Sequence, residues 1–261
     1  MGSADAFKEF SLKGKSALVI GAEDPVGAAA ALTLAEAGAN VVLASREPGT
    51  DDPIKAAAKA VTAAGAKAVE RVQSAVSRAD LSATMDLTVK ELGQLDILVN
   101  AMDFPYFAAA EATDDSTYDR VMENNFKTVW MACQEGGRLM QQRGGGAMVN
   151  ISSILAQRGV PNASLYCAAK AAVSNLTRAL ALEWARKKVR VNAIEAGWME
   201  LSNGPTAADE AFRKALLKYL PSNRLLKPEE LAGALLYLVC PASGFVTGES
   251  IVLDGGLMCR V

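Results

Sequence analysis

Residues 153–170 read SILAQRGVPNASLYCAAK, which sets Ser153 thirteen residues before Tyr166 and Tyr166 four residues before Lys170. Positions i and i+4 of a helix share one face. The run from Ala168 to Arg186 is rich in Ala and Leu and contains no Gly or Pro, as a helix requires. With Tyr166 opening that helix, a phenol and an ammonium lie side by side. A cation within a few ångströms favours the charged phenolate, so Tyr166 is a candidate general acid/base near neutral pH. The same spacing also describes a Tyr and a Lys that merely share an exposed helical side, and the surrounding chain has to decide between the two.

Outward from this stretch, strands and helices alternate. Ser16 to Ile20 (SALVI), Asn40 to Ala44 (NVVLA) and Leu95 to Asn100 (LDILVN) are short apolar runs of the kind found in buried parallel strands. Gly21 closes the first run, and Gly27 opens an Ala-rich helix that ends near Gly38, giving a βαβ unit. Pro53 to Ala64 reads as a helix, Ala66 to Val72 as a weaker strand, and Asp80 as the cap of a helix reaching Leu92. Thr117 to Arg143 reads as one long helix stopped by Gly144 to Gly146. Ala147 to Ile151 is a strand delivering Ser152 and Ser153, followed by the Tyr166 helix and a strand at Val189 to Ile194. Pro205 to Leu220 is helical, Pro228 begins another helix, and Ser250 to Leu253 is a last strand. No linker or break in composition interrupts the alternation. The expected fold is α/β: a single-domain, doubly wound, Rossmann-like parallel sheet over residues 1–261 with helices on both faces. Residues 1–13 form a lead-in, and about 198–226 form a flap over a substrate site.

Composition excludes several function classes. A formal charge of −2, with no basic block, argues against nucleic acid or an anionic membrane as partner. No apolar run has the length of a membrane span. Cys133, Cys167, Cys240 and Cys259 are widely spaced, so a reduced, cytoplasmic chain without a structural metal is the simplest account. The chain has no histidine, which removes Ser-His and Cys-His nucleophiles. Acid–base chemistry falls to Tyr, Lys or carboxylates.

The motifs NISS (Asn150 to Ser153), YCAAK (Tyr166 to Lys170), VRVNAI (Val189 to Ile194) and PEELAGALLYL…VTGESIVLDGG resemble those of the short-chain dehydrogenase/reductase family, in order and over nearly the whole chain. The likeness is to the YxxxK type, with 3-oxoacyl-acyl carrier protein reductases among the similar members. The resemblance implies a nicotinamide-dependent ketone reductase or alcohol dehydrogenase with Asn125, Ser153, Tyr166 and Lys170 as catalytic residues. Tyr166 would pass the proton and Ser153 would hold the substrate oxygen. Lys170 would lower the Tyr166 pKa and bind the nicotinamide ribose, and Asn125 would hold a water linking Lys170 to solvent. Gly21, Asp24, Val26, Gly27, Ser45, Arg46, Asn100, Ala101, Gly197 and Met199, with Tyr166 and Lys170, would line the cofactor path. Ser153, Leu155 and Trp198 would meet the substrate, with Phe104, Gln157 and Cys167 as further mostly apolar neighbours. Arg46 after the second strand suits a 2′-phosphate, so NADP(H) is favoured over NAD(H). The family's assemblies imply a homotetramer or homodimer.

Departures from the family pattern cluster in the cofactor half. The TGxxxGxG loop becomes Ile20-Gly21-Ala22-Glu23-Asp24-Pro25-Val26-Gly27. Proline offers no N–H to a phosphate, and Asp24 is expected to cap the very amides a pyrophosphate needs. NNAG becomes Asn100-Ala101-Met102-Asp103, which is expected to place a bulky side chain and a charge beside the adenosine path. No carboxylate stands at Ser74 or Ala75 to meet adenine, and Leu201 replaces a threonine expected at the carboxamide. These changes imply weakened dinucleotide binding or an altered pose. They leave open a second reading, a family member turned binding or assembly scaffold.

Overall fold

The computed structural model describes residues 8–45, 51–72, 77–201, 207 and 209–260. Among these residues, seven parallel strands form one sheet in the order β3-β2-β1-β4-β5-β6-β7. They are β1 (Ser16–Ile20), β2 (Asn40–Ala44), β3 (Ala68–Arg71), β4 (Ile97–Asn100), β5 (Gly146–Ser153), β6 (Val189–Ala196) and β7 (Ser250–Leu253). Every residue of β1 and β4 is buried, because helices cover both faces and water reaches neither.

The two faces are packed separately, as the alternation of side chains along each strand requires. Ala17 and Val19 of β1 pack with Ala31 and Leu34 of α1 (Pro25–Glu36), Val61 of α2 (Asp51–Ala63) and Leu235 of α8 (Ala232–Val239). Leu18 and Ile20 point the other way. They join Leu81 of α3 (Arg78–Leu92), Val129 of α5 (Thr128–Arg143) and Val173 of α6 (Ser164–Trp184). The chain doubles back between β1 and β4, so helices leave the carboxyl ends of these neighbouring strands toward opposite faces. That fork opens a crevice, the usual ligand position in such sheets.

Some strand ends move by one or two residues from the expected bounds, and three helix boundaries shift for local reasons. The α3 cap is Ser77, whose hydroxyl accepts the Asp80 amide at 3.1 Å, and Asp80 itself lies in the first turn. The long helix expected from Thr117 is interrupted. Asp114 caps α4 (Asp115–Met122), a five-residue π-helical segment (Glu123–Lys127) follows, and only then does α5 begin. Gly144, at φ +89°, ends α5 in the left-handed region that glycine adopts without strain. Over the crevice, α7 (Glu210–Tyr219) is shorter than the expected Pro205 to Leu220 helix, starting behind an Asp209 cap. Residues 202–206 and 208 of the expected flap lie outside the described residues.

Candidate active site

At the carboxyl ends of β1, β4, β5 and β6 the crevice holds a cavity of about 330 Å³. It runs from Asp24, Pro25 and Val26 at the start of α1, past Ala101 and Asp103, to Ser153, Tyr166 and Lys170. Gly197, Trp198, Met199 and Leu201, which follow β6, close its other side.

Tyr166 is the third residue of α6, which begins at Ser164, so the phenol and Lys170 are stacked on one helical face as the spacing requires. The Lys170 ammonium lies 5.6 Å from the centre of the Tyr166 ring. Between them stands a group with no assigned role in the sequence reading. The Tyr166 hydroxyl donates to Asp103 Oδ1 at 2.8 Å, and Lys170 Nζ contacts the same oxygen at 2.9 Å. Lys170 also donates to the Met102 carbonyl at 3.3 Å, and the lysine is only 1 % exposed. Burial, then the Asp103 charge and its hydrogen bond, push the Tyr166 phenol well above the ordinary tyrosine range, while a hydrogen bond from Ser153 works the other way. The ammonium is engaged by the same carboxylate that accepts the phenol's proton, so Asp103 opposes the lowering expected of Lys170.

Asp103 lines the cavity and faces the Tyr–Lys pair, while Met102 differs from its expected place. The Met102 side chain is 1 % exposed and packs into the core beside Ile20 and Val42, so only its carbonyl faces the site.

The other tetrad members are held firmly. Ser153 ends β5 and its hydroxyl accepts the Leu155 amide at 3.2 Å, which fixes the 3-10 turn Ile154–Ala156 under the cavity. The π-helical segment turns Asn125 inward. Its side chain pairs with both backbone groups of Phe104, at 3.0 and 2.9 Å, and donates to the Val121 carbonyl at 3.0 Å. Asn125 thus ties α4 to the loop that carries Asp103.

Behind the tetrad, Asn100 donates to Asn150 at 2.8 Å and Asn150 donates to Thr177 at 2.9 Å, clamping β4, β5 and α6. Asn100 is fully buried and is not among the residues lining the cavity, unlike its expected place on the cofactor path. A second buried chain runs Ser152–Ser174–Glu195, with Ser174 donating to Glu195 at 2.8 Å and Gln157 completing the carboxylate's contacts. Gln157 is thereby held away from the cavity wall.

The cofactor half is mixed. Gly27 sits so close to the Gly21 carbonyl that any Cβ would overlap it, and a Cβ on Gly21 would lie 3.0 Å from the Ala101 carbonyl carbon. Both glycines therefore keep the turn tight. Asp24 stands at the cap of α1 without the expected side-chain cap hydrogen bond, and it lies on the cavity wall. Ser45 is buried at the end of β2 and does not line the cavity. Arg46, Ser74 and Ala75 lie outside the described residues. A cleft continuous from the α1 amides to a buried ammonium fits an extended anionic dinucleotide.

Phe107 was missing from the sequence reading. Its ring lies 6.0 Å from both the Tyr166 and Trp198 rings, and Trp198 meets Phe212 of α7 edge-on at 5.3 Å. These aromatic rings form an apolar wall opposite the serine. Cys167 packs against the Arg158 carbonyl. Among the described residues no cluster suits a metal ion, and no helix is long and apolar enough to cross a membrane.

Comparison with known proteins agrees with this geometry. A family profile described as enoyl-(acyl carrier protein) reductase matches residues 21–258. The chain is 34 % identical over 254 residues to 2-dehydro-3-deoxy-D-gluconate 5-dehydrogenase of Dickeya dadantii, covering 96 % of this chain and 98 % of that one. It is 37 % identical over 243 residues to cis-4-hydroxycyclohexanecarboxylate dehydrogenase of Sinomonas cyclohexanicum, covering 92 % and 95 %. The crystal structure of a gluconate 5-dehydrogenase from Burkholderia cenocepacia, in complex with NADP and tartrate, superposes with a TM-score of 0.91 at 32 % identity, covering 98 % and 100 %. These relatives do not favour the scaffold reading. With the Ser153–Tyr166–Lys170 constellation at the sheet's switch point, they show that the chain belongs to the short-chain dehydrogenase/reductase family and is an oxidoreductase acting on CH–OH and C=O groups.

Proposed function

We propose that the protein reduces an uncharged, ring-shaped or otherwise apolar ketone with NADPH. The observation that carries this reading is the cavity itself: a phenol, a hydroxyl and a buried ammonium meet at one end, opposite a wall of Phe107 and Trp198. The charged side chains on the wall are Asp24, Asp103 and Lys170, and Lys170 is engaged by Asp103. Among the described residues no further cation lines the wall to receive a substrate carboxylate, which favours a neutral substrate over a sugar acid. The NADP in the Burkholderia relative and Arg46 after β2 support the cofactor preference.

A bound nicotinamide would supply the hydride, and the chain's residues would do the rest. Val26, Ala101, Gly197 and Met199 would hold the dinucleotide along the cleft. Ser153 would donate to the carbonyl oxygen and hold it beside the Tyr166 hydroxyl, from which the proton moves to that oxygen. Lys170 would favour the resulting phenolate by its charge, and the aromatic wall would exclude water. The same chemistry is read as working in one domain, in the cytoplasm. A homotetramer or homodimer is supported by the exposed rings of Trp130 and Phe245.

The test follows NADPH absorbance during incubation with a panel of cyclic ketones and of keto acids. Turnover of the neutral ketones, abolished in Tyr166→Phe, is expected. A preference for keto acids refutes the substrate class, and full activity in Tyr166→Phe refutes the mechanism.

A further inference from the structure

We propose that Asp103 is a positioning residue for the Tyr166 proton: its carboxylate, shared between phenol and ammonium, keeps that proton on the phenol and sets the resting site to deliver a proton to a carbonyl rather than to take one from an alcohol. The inference deepens the proposed carbonyl reduction, and only its consequence for reaction direction rests on that reading.

One oxygen, Asp103 Oδ1, accepts from Tyr166 Oη at 2.8 Å and lies 2.9 Å from Lys170 Nζ. A hydrogen bond to a carboxylate stabilises the neutral, donating phenol. Ionising the phenol would set two anions against each other and break that bond. A lysine beside a tyrosine would by itself favour the phenolate. Here its charge is offset by the carboxylate, whose Oδ1 lies 2.9 Å from the ammonium and 2.8 Å from the phenol oxygen. The arrangement is also anchored. Asp103 lies between Met102, whose side chain is buried in the core, and Phe104, both of whose backbone groups pair with Asn125.

Other charged and titratable groups around Tyr166 leave the balance with Asp103. From α6, Cys167 lies next in the chain and acts in the same direction as Asp103, more weakly. From β5, the Ser153 hydroxyl opposes it. From the start of α1, Asp24 lies on the same cavity wall and adds negative charge. From α4, Arg120 stacks over Phe104 at 5.1 Å. From β6, Glu195 is bonded to Ser174 and Gln157. The helix α7 meets this side of the cavity through Leu216 and Leu217, while its Arg213 pairs with Glu200.

The proton balance is simple. In reduction, the Tyr166 O–H bond breaks as the substrate O–H bond forms, and the phenolate left behind is reprotonated from solvent. In oxidation, Tyr166 must first lose its proton against the Asp103 charge, so that limb requires higher pH.

The test is an absorption titration of tyrosine ionisation in cofactor-free protein, with the Tyr166→Phe trace subtracted in each background. Wild type is expected to ionise Tyr166 beyond the ordinary tyrosine range. Asp103→Asn and Asp103→Ser are each expected to lower that midpoint by about 1 to 2 pH units. A midpoint no lower than wild type in the folded variants overturns the proposal. Circular dichroism identifies a variant that fails to fold, and the other variant then carries the comparison. Because no turnover is measured, a failure of the proposed substrate class leaves this result readable. Where turnover is found, the alkaline limb of alcohol oxidation should move down with the phenol in Asp103→Asn, and an unmoved limb counts against Asp103.

Discussion

Replacing Lys170 by methionine separates the chemistry of the site from its stability. Methionine matches the lysine stem in length and keeps the helix, but it removes a charge whose side chain is only 2 % exposed. At 2.9 Å from Asp103 the lost attraction is about 6 kcal/mol with an effective dielectric constant of about 20. Two effects offset it. Holding an ammonium away from water costs several kcal/mol, a penalty the variant no longer bears. The Asp103 side chain is 34 % exposed, so solvent screens the pair and rehydrates the carboxylate once the lysine is gone. The expected net change is within about 1 kcal/mol, or roughly 2–4 °C in Tm for a chain of this size. Turnover should behave differently. Without the cation, Tyr166 loses the charge that stabilises its phenolate, and a loss of about 10²–10³ in kcat is expected. Thermal unfolding and NADPH-dependent reduction, measured on the same preparation, read the two quantities. A fall in Tm of more than about 10 °C would make Lys170 a structural residue, and wild-type kcat would remove it from the mechanism.

Three further outcomes follow from particular contacts. Asn150→Ala removes the oxygen acceptor of the Asn100 amide and the donor to the Thr177 hydroxyl, leaving them the Cys133 sulfur and the Val173 carbonyl, and should cost about 1–3 kcal/mol in urea unfolding; a change below about 0.5 kcal/mol would contradict the clamp. The Cys133 thiol is pushed up to about 12 by burial, so a thiol reagent should titrate exposed Cys259 in the native protein and reach Cys133 only on unfolding. Arg224 holds Glu230 down to about 2, with the Lys227 amide assisting. A depressed carboxylate stabilises the fold above its unfolded pKa of about 4.3 and loses that contribution as pH falls through the folded value. The stability gap between wild type and Glu230→Gln should therefore be present at neutral pH and close near pH 2, and a gap that persists in acid would show another origin.

Much of the fold is written locally in the chain. SALVI and NVVLA carry no polar residue beyond their first position, because β1 and β2 are covered on both faces, and their bounds appear as read. The Tyr166–Lys170 pair is equally local, being one helical turn apart. What stayed hidden depends on contacts distant in sequence or on small choices between neighbours. Asp103 and Tyr166 are 63 residues apart, and nothing in NAMD says that the methionine turns into the core while the aspartate turns to the phenol. Strand pairing brings the ends of β4 and β5 together, so an acid three residues beyond β4 was within reach of Ser153 once the strand order was known. The π-helical segment carries no glycine or proline to mark it, since it arises from Asn125 reaching Phe104. Ser77 and Asp80 are both good caps three residues apart, and the sequence alone does not rank them.

The proposed function requires that this cleft, despite Pro25 and Asp103, bind a nicotinamide dinucleotide and prefer NADPH. Calorimetric titration of the purified protein with NADPH and, separately, with NADH tests it directly. Binding of NADPH at about micromolar Kd and weaker binding of NADH are expected. No heat and no thermal shift at about millimolar concentrations of either cofactor would contradict it.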